Sequence, residues 1–211
     1  MADLRVTGSE LILGGQKSGK SRRAEALALA WLAQSAHHRS LLIATAQAGD
    51  EEMTQRIARH QLDRSQRLPG MSTLEEPLQL AQAIQRHSDP ATLIVVDCLT
   101  LWLTNWLMPA AENPGHETVP QSDRPVPESI TNQPVTPAYQ AQTALLLEAI
   151  SKAPGPLVLV GNEIGLGVIP LGPEVRAFVD ALGLLNQSVA ARCQRVTLMA
   201  AGLPLVLKET S

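Results

Sequence analysis

The sequence holds only two cysteines, Cys98 and Cys193, and their spacing is not that of a metal site. A disulfide framework or a zinc centre is therefore not expected, both thiols read as packing residues, and a reducing cytoplasm is the expected compartment. Positive charge is not in excess either: 17 Lys and Arg against 20 Asp and Glu leave a formal charge of −3. A surface built for bulk nucleic acid or anionic lipid is not expected, so basic residues should be local and functional. The opening Met1-Ala2-Asp3-Leu4-Arg5 lacks a basic stretch followed by an apolar run, so no secretory signal is read there. Long apolar runs are also scarce, the nearest being residues 93 to 108. Asp97 interrupts that run, with Thr100, Thr104 and Asn105 behind it, so it reads as a buried strand entering a helix and not as a membrane span.

What is present is a glycine-rich octet, Gly14-Gly15-Gln16-Lys17-Ser18-Gly19-Lys20-Ser21, followed by Arg22. It lies between the apolar run Glu10-Leu11-Ile12-Leu13 and the helix-forming stretch Arg22 to Gln34. This is the GxxxxGKS pattern in the strand, turn and helix context that a P-loop requires. Its glycines allow a sharp turn that aims backbone N–H groups at a polyphosphate, where the helix N-terminus adds about half a positive charge. Lys20 is expected to reach the β- and γ-phosphates and Ser21 to hold Mg²⁺. The plainer alternative is a glycine-rich turn and nothing more.

Four short apolar runs, Leu11 to Leu13, Leu41 to Ala44, Leu93 to Val96 and Leu157 to Val160, alternate with helical patterns. They predict one α/β domain spanning residues 1–211, with a mostly parallel sheet covered on both faces. Val196 to Ala200 and Leu203 to Leu207, joined at Gly202, predict two final strands forming an antiparallel edge. Pro109 to Pro137 carries seven of the fifteen prolines and almost no aliphatic periodicity, and reads as a long mobile insertion, whether lid or plain loop. The strand Leu93-Ile94-Val95-Val96-Asp97 ends in a carboxylate. Behind a P-loop this is the form of a Walker B element whose acid meets the Mg²⁺ carried by Ser21; alone, it would be a helix cap. From Asp50 to Arg64 acids precede bases along a predicted helix, and a spacing of four puts Arg56, His60 and Arg64 on one face. Two guanidinium groups there would keep a neutral imidazole nucleophile beside gathered phosphate oxygens, although a solvated basic face would show the same spacing.

With these residues in hand, the chain resembles the bifunctional adenosylcobinamide kinase and adenosylcobinamide-phosphate guanylyltransferase family of cobalamin biosynthesis. The resemblance is carried by the P-loop through Arg22, by Ile43-Ala44-Thr45-Ala46-Gln47, by Asp50-Glu51-Glu52-Met53 and by Arg56-Ile57-Ala58-Arg59-His60. It continues in Glu75-Glu76-Pro77, Asp97-Cys98-Leu99-Thr100, Trp102-Leu103-Thr104-Asn105 and the segment Asn162 to Pro170. Met71 stands where the family commonly has a tryptophan, and Val179 and Leu184 where it often has arginines.

The resemblance implies a three-layer, RecA-like P-loop NTPase fold. It also implies phosphorylation of adenosylcobinamide by ATP or GTP, then transfer of GMP from GTP to adenosylcobinamide phosphate through a guanylylated histidine matching His60. Lys20 and His60 are then the catalytic candidates. Gly14 to Arg22, Thr45, Ala46, Gln47, Gln61, Leu62, Asp63, Arg64, Glu75 and Asp97 are the nucleotide-site candidates, with Ser21 and Asp97 toward Mg²⁺. Asn162 to Pro170 is implied as a substrate or subunit contact, where its glycines would otherwise be turn residues, and a homotrimer is implied. A P-loop kinase with an inert His60, or a regulatory ATPase or GTPase module, are the competing readings; the acidic balance and the absence of a basic nucleic-acid motif count against the last.

Overall fold

The structure is a computed structural model, and it describes residues 4–47, 67–108 and 136–210. Its element order is β1 (Ser9–Gly14), α1 (Lys20–Leu32), β2 (Arg39–Ala44), β3 (Met71–Glu75), α2 (Leu80–His87), β4 (Thr92–Asp97) and α3 (Leu99–Leu107). There follow α4 (Pro137–Lys152), β5 (Leu157–Val160), α5 (Pro173–Arg192), β6 (Arg195–Ala200) and β7 (Leu203–Glu209). The strands form one sheet in the order β3-β2-β4-β5-β1-β6-β7. Every pairing is parallel except β6 with β7, the antiparallel edge read from the sequence.

The four apolar runs become the interior strands because each is buried along its length or nearly so, which leaves no solvated face for polar alternation. Alternate side chains divide between two cores. Leu11, Leu13, Ile94, Val96, Leu157 and Leu159 pack with residues of α2, α3, α4 and α5. On the opposite face Ile12, Leu42, Val95, Val158 and Val160 pack with Ala24, Leu27 and Ala28 of α1. This is a three-layer α/β architecture, a mostly parallel sheet with helices on both faces.

Two details differ from the sequence reading. A further parallel strand, β3, pairs with β2 at the sheet edge; its residues are half-buried or exposed, so it lacked the apolar run that marked the others. The proline-rich insertion also stops short of Pro137, which opens α4 in the first-turn position proline favours. Thr136 caps that helix by accepting the Tyr139 N–H at 3.3 Å, and residues 109–135 lie outside the described part of the chain. The expected helix over 50–64 also falls outside it.

A buried charge cluster fastens α1 to the sheet. Glu10, in the interior of β1, accepts from Arg23 Nε at 2.9 Å and from Thr197 Oγ1 at 2.7 Å. Arg195, opposite Glu10 in the β1–β6 register, brings its guanidinium to 3.9 Å from the same carboxylate and also pairs with Glu209. Glu10 and Arg195 are each 1 % exposed. Removing the carboxylate would take from two buried cations the anion they share, so Glu10→Ala is expected to cost about 3–5 kcal/mol, read as a lowered urea midpoint. Arg5→Ala, which loses an exposed pair with Glu209, is expected to leave that midpoint close to the parent value.

Candidate nucleotide site

The carboxyl ends of the parallel strands meet at one edge of the sheet, where ligands of open α/β folds bind. Ala44 stands in register with both Glu75 and Asp97, and Asp97 with Val160, while β1 runs past them to Gly14. The turn after β1 depends on glycine at two points. Gly14 has φ +152°, and a Cβ there would stand 2.5 Å from the Met199 carbonyl oxygen and 2.6 Å from Ser18 Oγ. Gly19, with φ +104°, delivers the chain into α1.

The start of α1 is unusual for a helix. No side chain caps it and no acid lies in its first turn; Lys20, Arg22 and Arg23 are there instead. Cations at the positive end of a helix dipole repel it, and free N–H groups remain, so an anion is the missing partner. Arg23 is answered by Glu10. Lys20 is 9 % exposed and donates from Nζ to the Gly15 carbonyl at 2.7 Å, across the mouth of the loop. Burial pulls its pKa below the usual lysine value, with Cys98 and Asp97 acting in the opposite sense. Among the described residues, Ser18 Oγ is buried with no hydrogen-bond partner.

Ser21 Oγ donates to Asp97 Oδ2 at 3.2 Å, which joins the first turn of α1 to the end of β4. A hydroxyl and a carboxylate so placed form an all-oxygen donor pair that fits Mg²⁺, an ion that takes few protein ligands and completes its shell with water and phosphate oxygens. Among the described residues no cluster of three or more His, Cys, Asp or Glu offers a denser metal site.

The remaining sequence candidates divide by position. Thr45 is fully buried: its hydroxyl donates to the Cys98 carbonyl at 2.7 Å and accepts the Cys98 N–H at 2.9 Å, while its own N–H reaches the Asp97 carbonyl at 3.1 Å. Its side chain is thus engaged in fixing the chain around Asp97. Ala46 is half-buried, and Gln16, Lys17, Arg22, Gln47 and Glu75 are exposed at the same sheet edge. His60, Gln61, Leu62, Asp63 and Arg64 lie outside the described residues.

Sequence reasoning missed three supports of the site, two of them on the glycine loop. The tip of the β6–β7 hairpin, Ala201 and Gly202 at φ +51° and +79°, reaches the P-loop, and the Gly202 N–H donates to the Ser18 carbonyl at 3.0 Å. The Glu163 N–H donates to the Gly14 carbonyl at 3.1 Å, bringing the segment after β5 alongside the loop. Asn105 Nδ2 donates to the carbonyls of Thr45, at 2.8 Å, and Pro77, at 3.0 Å. The hairpin had a local signal in its glycine, but its contact with residue 18 follows only from β6 lying next to β1.

Both cysteines are buried packing residues. Burial, and then the neighbouring Asp97, push Cys98 up to about 11, and burial pushes Cys193 up to about 12. The thiolate is the reactive form, so the raised values leave little of either thiol reactive near neutral pH. Neither cysteine is expected to react with a thiol reagent in the folded protein, and both should react in 8 M urea; rapid labelling of the native protein would contradict this packing.

The sheet order, with the glycine loop at its carboxyl edge, makes this a P-loop protein of the three-layer kind. The family model for cobinamide kinase / cobinamide phosphate guanyltransferase matches residues 10–207, and the chain belongs to that family. It is 44% identical over 200 residues to the bifunctional adenosylcobalamin biosynthesis protein CobP of Pseudomonas aeruginosa, covering 94% of this chain and 96% of that one. It is also 31% identical over 198 residues to the bifunctional adenosylcobalamin biosynthesis protein CobU of Escherichia coli, covering 94% and 98% of the two chains. The protein of the same name from Salmonella typhimurium is 32% identical over 199 residues, with the same coverage of 94% and 98%. The chain is accordingly an enzyme, a bifunctional kinase and nucleotidyltransferase of cobalamin biosynthesis that uses nucleotide substrates. Among the described residues no helix is long and apolar enough to cross a membrane.

Proposed function

We propose that the chain, working as one nucleotide-binding domain, phosphorylates the hydroxyl on the aminopropanol arm of adenosylcobinamide with ATP or GTP. It then passes GMP from GTP, by way of His60, to the new phosphate, giving adenosylcobinamide-GDP and pyrophosphate. The observation that carries the nucleotide half is the uncapped, cationic start of α1 closed over by Lys20. A triphosphate would replace the Gly15 carbonyl as the partner of Lys20, and would supply the negative charge that the helix start lacks. Ser21 and Asp97 would hold Mg²⁺, which when bound neutralises charge on the phosphates. Thr45 serves by holding Asp97 in place, and Ala46, Gln47, Glu75 and Gln61 to Arg64 are assigned to the surroundings of the nucleotide.

For the second half, a neutral His60 nitrogen attacks the α-phosphorus of GTP. A P–N bond forms as the bond to the pyrophosphate oxygen breaks, and the ring proton is lost to solvent. An oxygen of adenosylcobinamide phosphate then attacks the same phosphorus, and the P–N bond breaks as the ring takes a proton back from solvent, returning the free imidazole. A cytoplasmic homotrimer is the working assembly under this reading.

Lys20→Ala is expected to keep the fold and to lower the rate of adenosylcobinamide phosphorylation by about 10²–10³ or more, measured with labelled ATP and labelled GTP. An unchanged rate would remove the P-loop assignment. His60→Asn, which keeps polarity and approximate size, is expected to abolish an acid-labile, base-stable GMP adduct from α-labelled GTP while phosphorylation of adenosylcobinamide continues. Retention of the adduct would place the nucleophile elsewhere, and loss of both activities would point to a wider role for that segment.

A further inference from the structure

Beside the P-loop, between the segment that follows β5 and the outer face of α5, lies a groove of about 1130 Å³. Small-molecule pockets commonly span about 300–1,000 Å³, so this one suits a ligand larger than a nucleoside. Its wall is strongly apolar and open to solvent: Leu166 is 80% exposed, Val168 95% and Ile169 77%, and Leu184 of α5 stands across from them at 61%. Such a concentration of exposed aliphatic side chains marks a surface meant to be covered.

The wall does not collapse onto the protein because it is fastened at both ends. At the near end the Glu163 N–H holds the Gly14 carbonyl, and Glu163 Oε1 accepts the Gly165 N–H at 2.8 Å. At the far end Arg176, from the first turn of α5, donates to the carbonyls of Pro170 and Leu171. The aliphatic side chains between these anchors are presented in advance, at little further ordering cost when a ligand arrives.

One polar group inside the groove points to the ligand chemistry. Asn186 is 4 % exposed and lines the groove; its Nδ2 donates to the Asn162 carbonyl at 3.1 Å, while among the described residues its Oδ1 is buried with no partner. An unpaired buried acceptor is costly, and an incoming N–H donor would relieve it.

We propose that this groove seats the corrin macrocycle of the acceptor, its apolar faces against the wall around Leu166 to Ile169, with a carboxamide N–H given to Asn186 Oδ1. This rests on the kinase and guanylyltransferase reading and adds to it the place of the acceptor. Corrin is a broad ring with apolar faces and an edge of carboxamide arms, which matches an aliphatic wall combined with a buried amide acceptor. The groove also opens in the right direction. Leu13 and Glu163 line it, and they adjoin Gly14 in sequence and through the hydrogen bond respectively, so an arm leaving the ring there has the phosphate loop next to it. A second copy of the chain would cover the same leucines but has no need of a concavity that continues to the phosphate loop.

The test uses the full chain with Leu166→Asp and Val168→Asp, changes at exposed positions that leave the core untouched. Adenosylcobinamide binding is followed by equilibrium dialysis without nucleotide, its KM and kcat in the kinase assay, GTP affinity with a fluorescent GTP analogue, and mass by light scattering. The acceptor Kd and KM are expected to rise at least about tenfold, because each aspartate sets a carboxylate against an apolar ring face. GTP affinity, kcat at saturating acceptor and mass should remain those of the parent. Unchanged acceptor affinity would overturn the proposal, and so would a fall in mass, which would identify the face as an interface between copies. If the parent protein itself neither binds nor phosphorylates adenosylcobinamide, the functional reading falls and the groove assignment with it; an active parent with unaffected variants removes the groove assignment alone.

Discussion

Positive charge gathered at the positive end of a helix is the constraint from which the rest of this structure follows. Lys20, Arg22 and Arg23 occupy the first turn of α1, where uncapped N–H groups already carry the dipole's positive end. Left alone, that arrangement would fray the helix. The protein offsets it in two ways: a permanent buried carboxylate, Glu10, takes Arg23, and Lys20 is turned back on the Gly15 carbonyl. The first tie is structural and the second exchangeable, so the residue free to change partners is the one proposed above to meet a phosphate.

The rest of the site is held by backbone groups in the same spirit. Thr45 is committed to the chain around Asp97, Asn105 to the carbonyl of Thr45, and the hairpin tip to Ser18. The few side chains with exchangeable partners stand among many that have none to spare. Preorganisation of this kind places the reorganisation cost in folding and not in turnover.

How much of this could be read from residues alone depended on range. The octet at 14–21 and the strand ending at Asp97 are local patterns, and the structure places Ser21 and Asp97 within hydrogen-bonding distance. The interior strands were legible because full burial leaves a plain aliphatic run. The edge strand Met71–Glu75 was not, because its half-exposed residues carry neither a run nor a clear alternation. Glu10 read as the flank of a strand; its value as the partner of Arg23 and Thr197 depends on elements that meet only in the folded sheet. Thr45 was read from the resemblance as a nucleotide-site residue; that its hydroxyl holds the Cys98 backbone was visible only in the fold. The resemblance pointed to Asn162 to Pro170 as a substrate or subunit contact, but the groove's shape was not legible, since a sequence of leucines and valines does not say which of them will face water.

The strand order carries one further consequence, in time and not in space. β1 lies between β5 and β6, so the segment holding the glycine loop is synthesised well before Leu157–Val160 and Arg195–Ala200, the strands that flank it. Until those strands arrive, β1 is an aliphatic stretch with both edges open, and contacts so distant in sequence form slowly. The hairpin's contact with the loop forms only when residue 202 can reach residue 18. The nascent chain therefore passes through a period in which the strand leading into its glycine loop has both edges open and the loop lacks its hairpin contact.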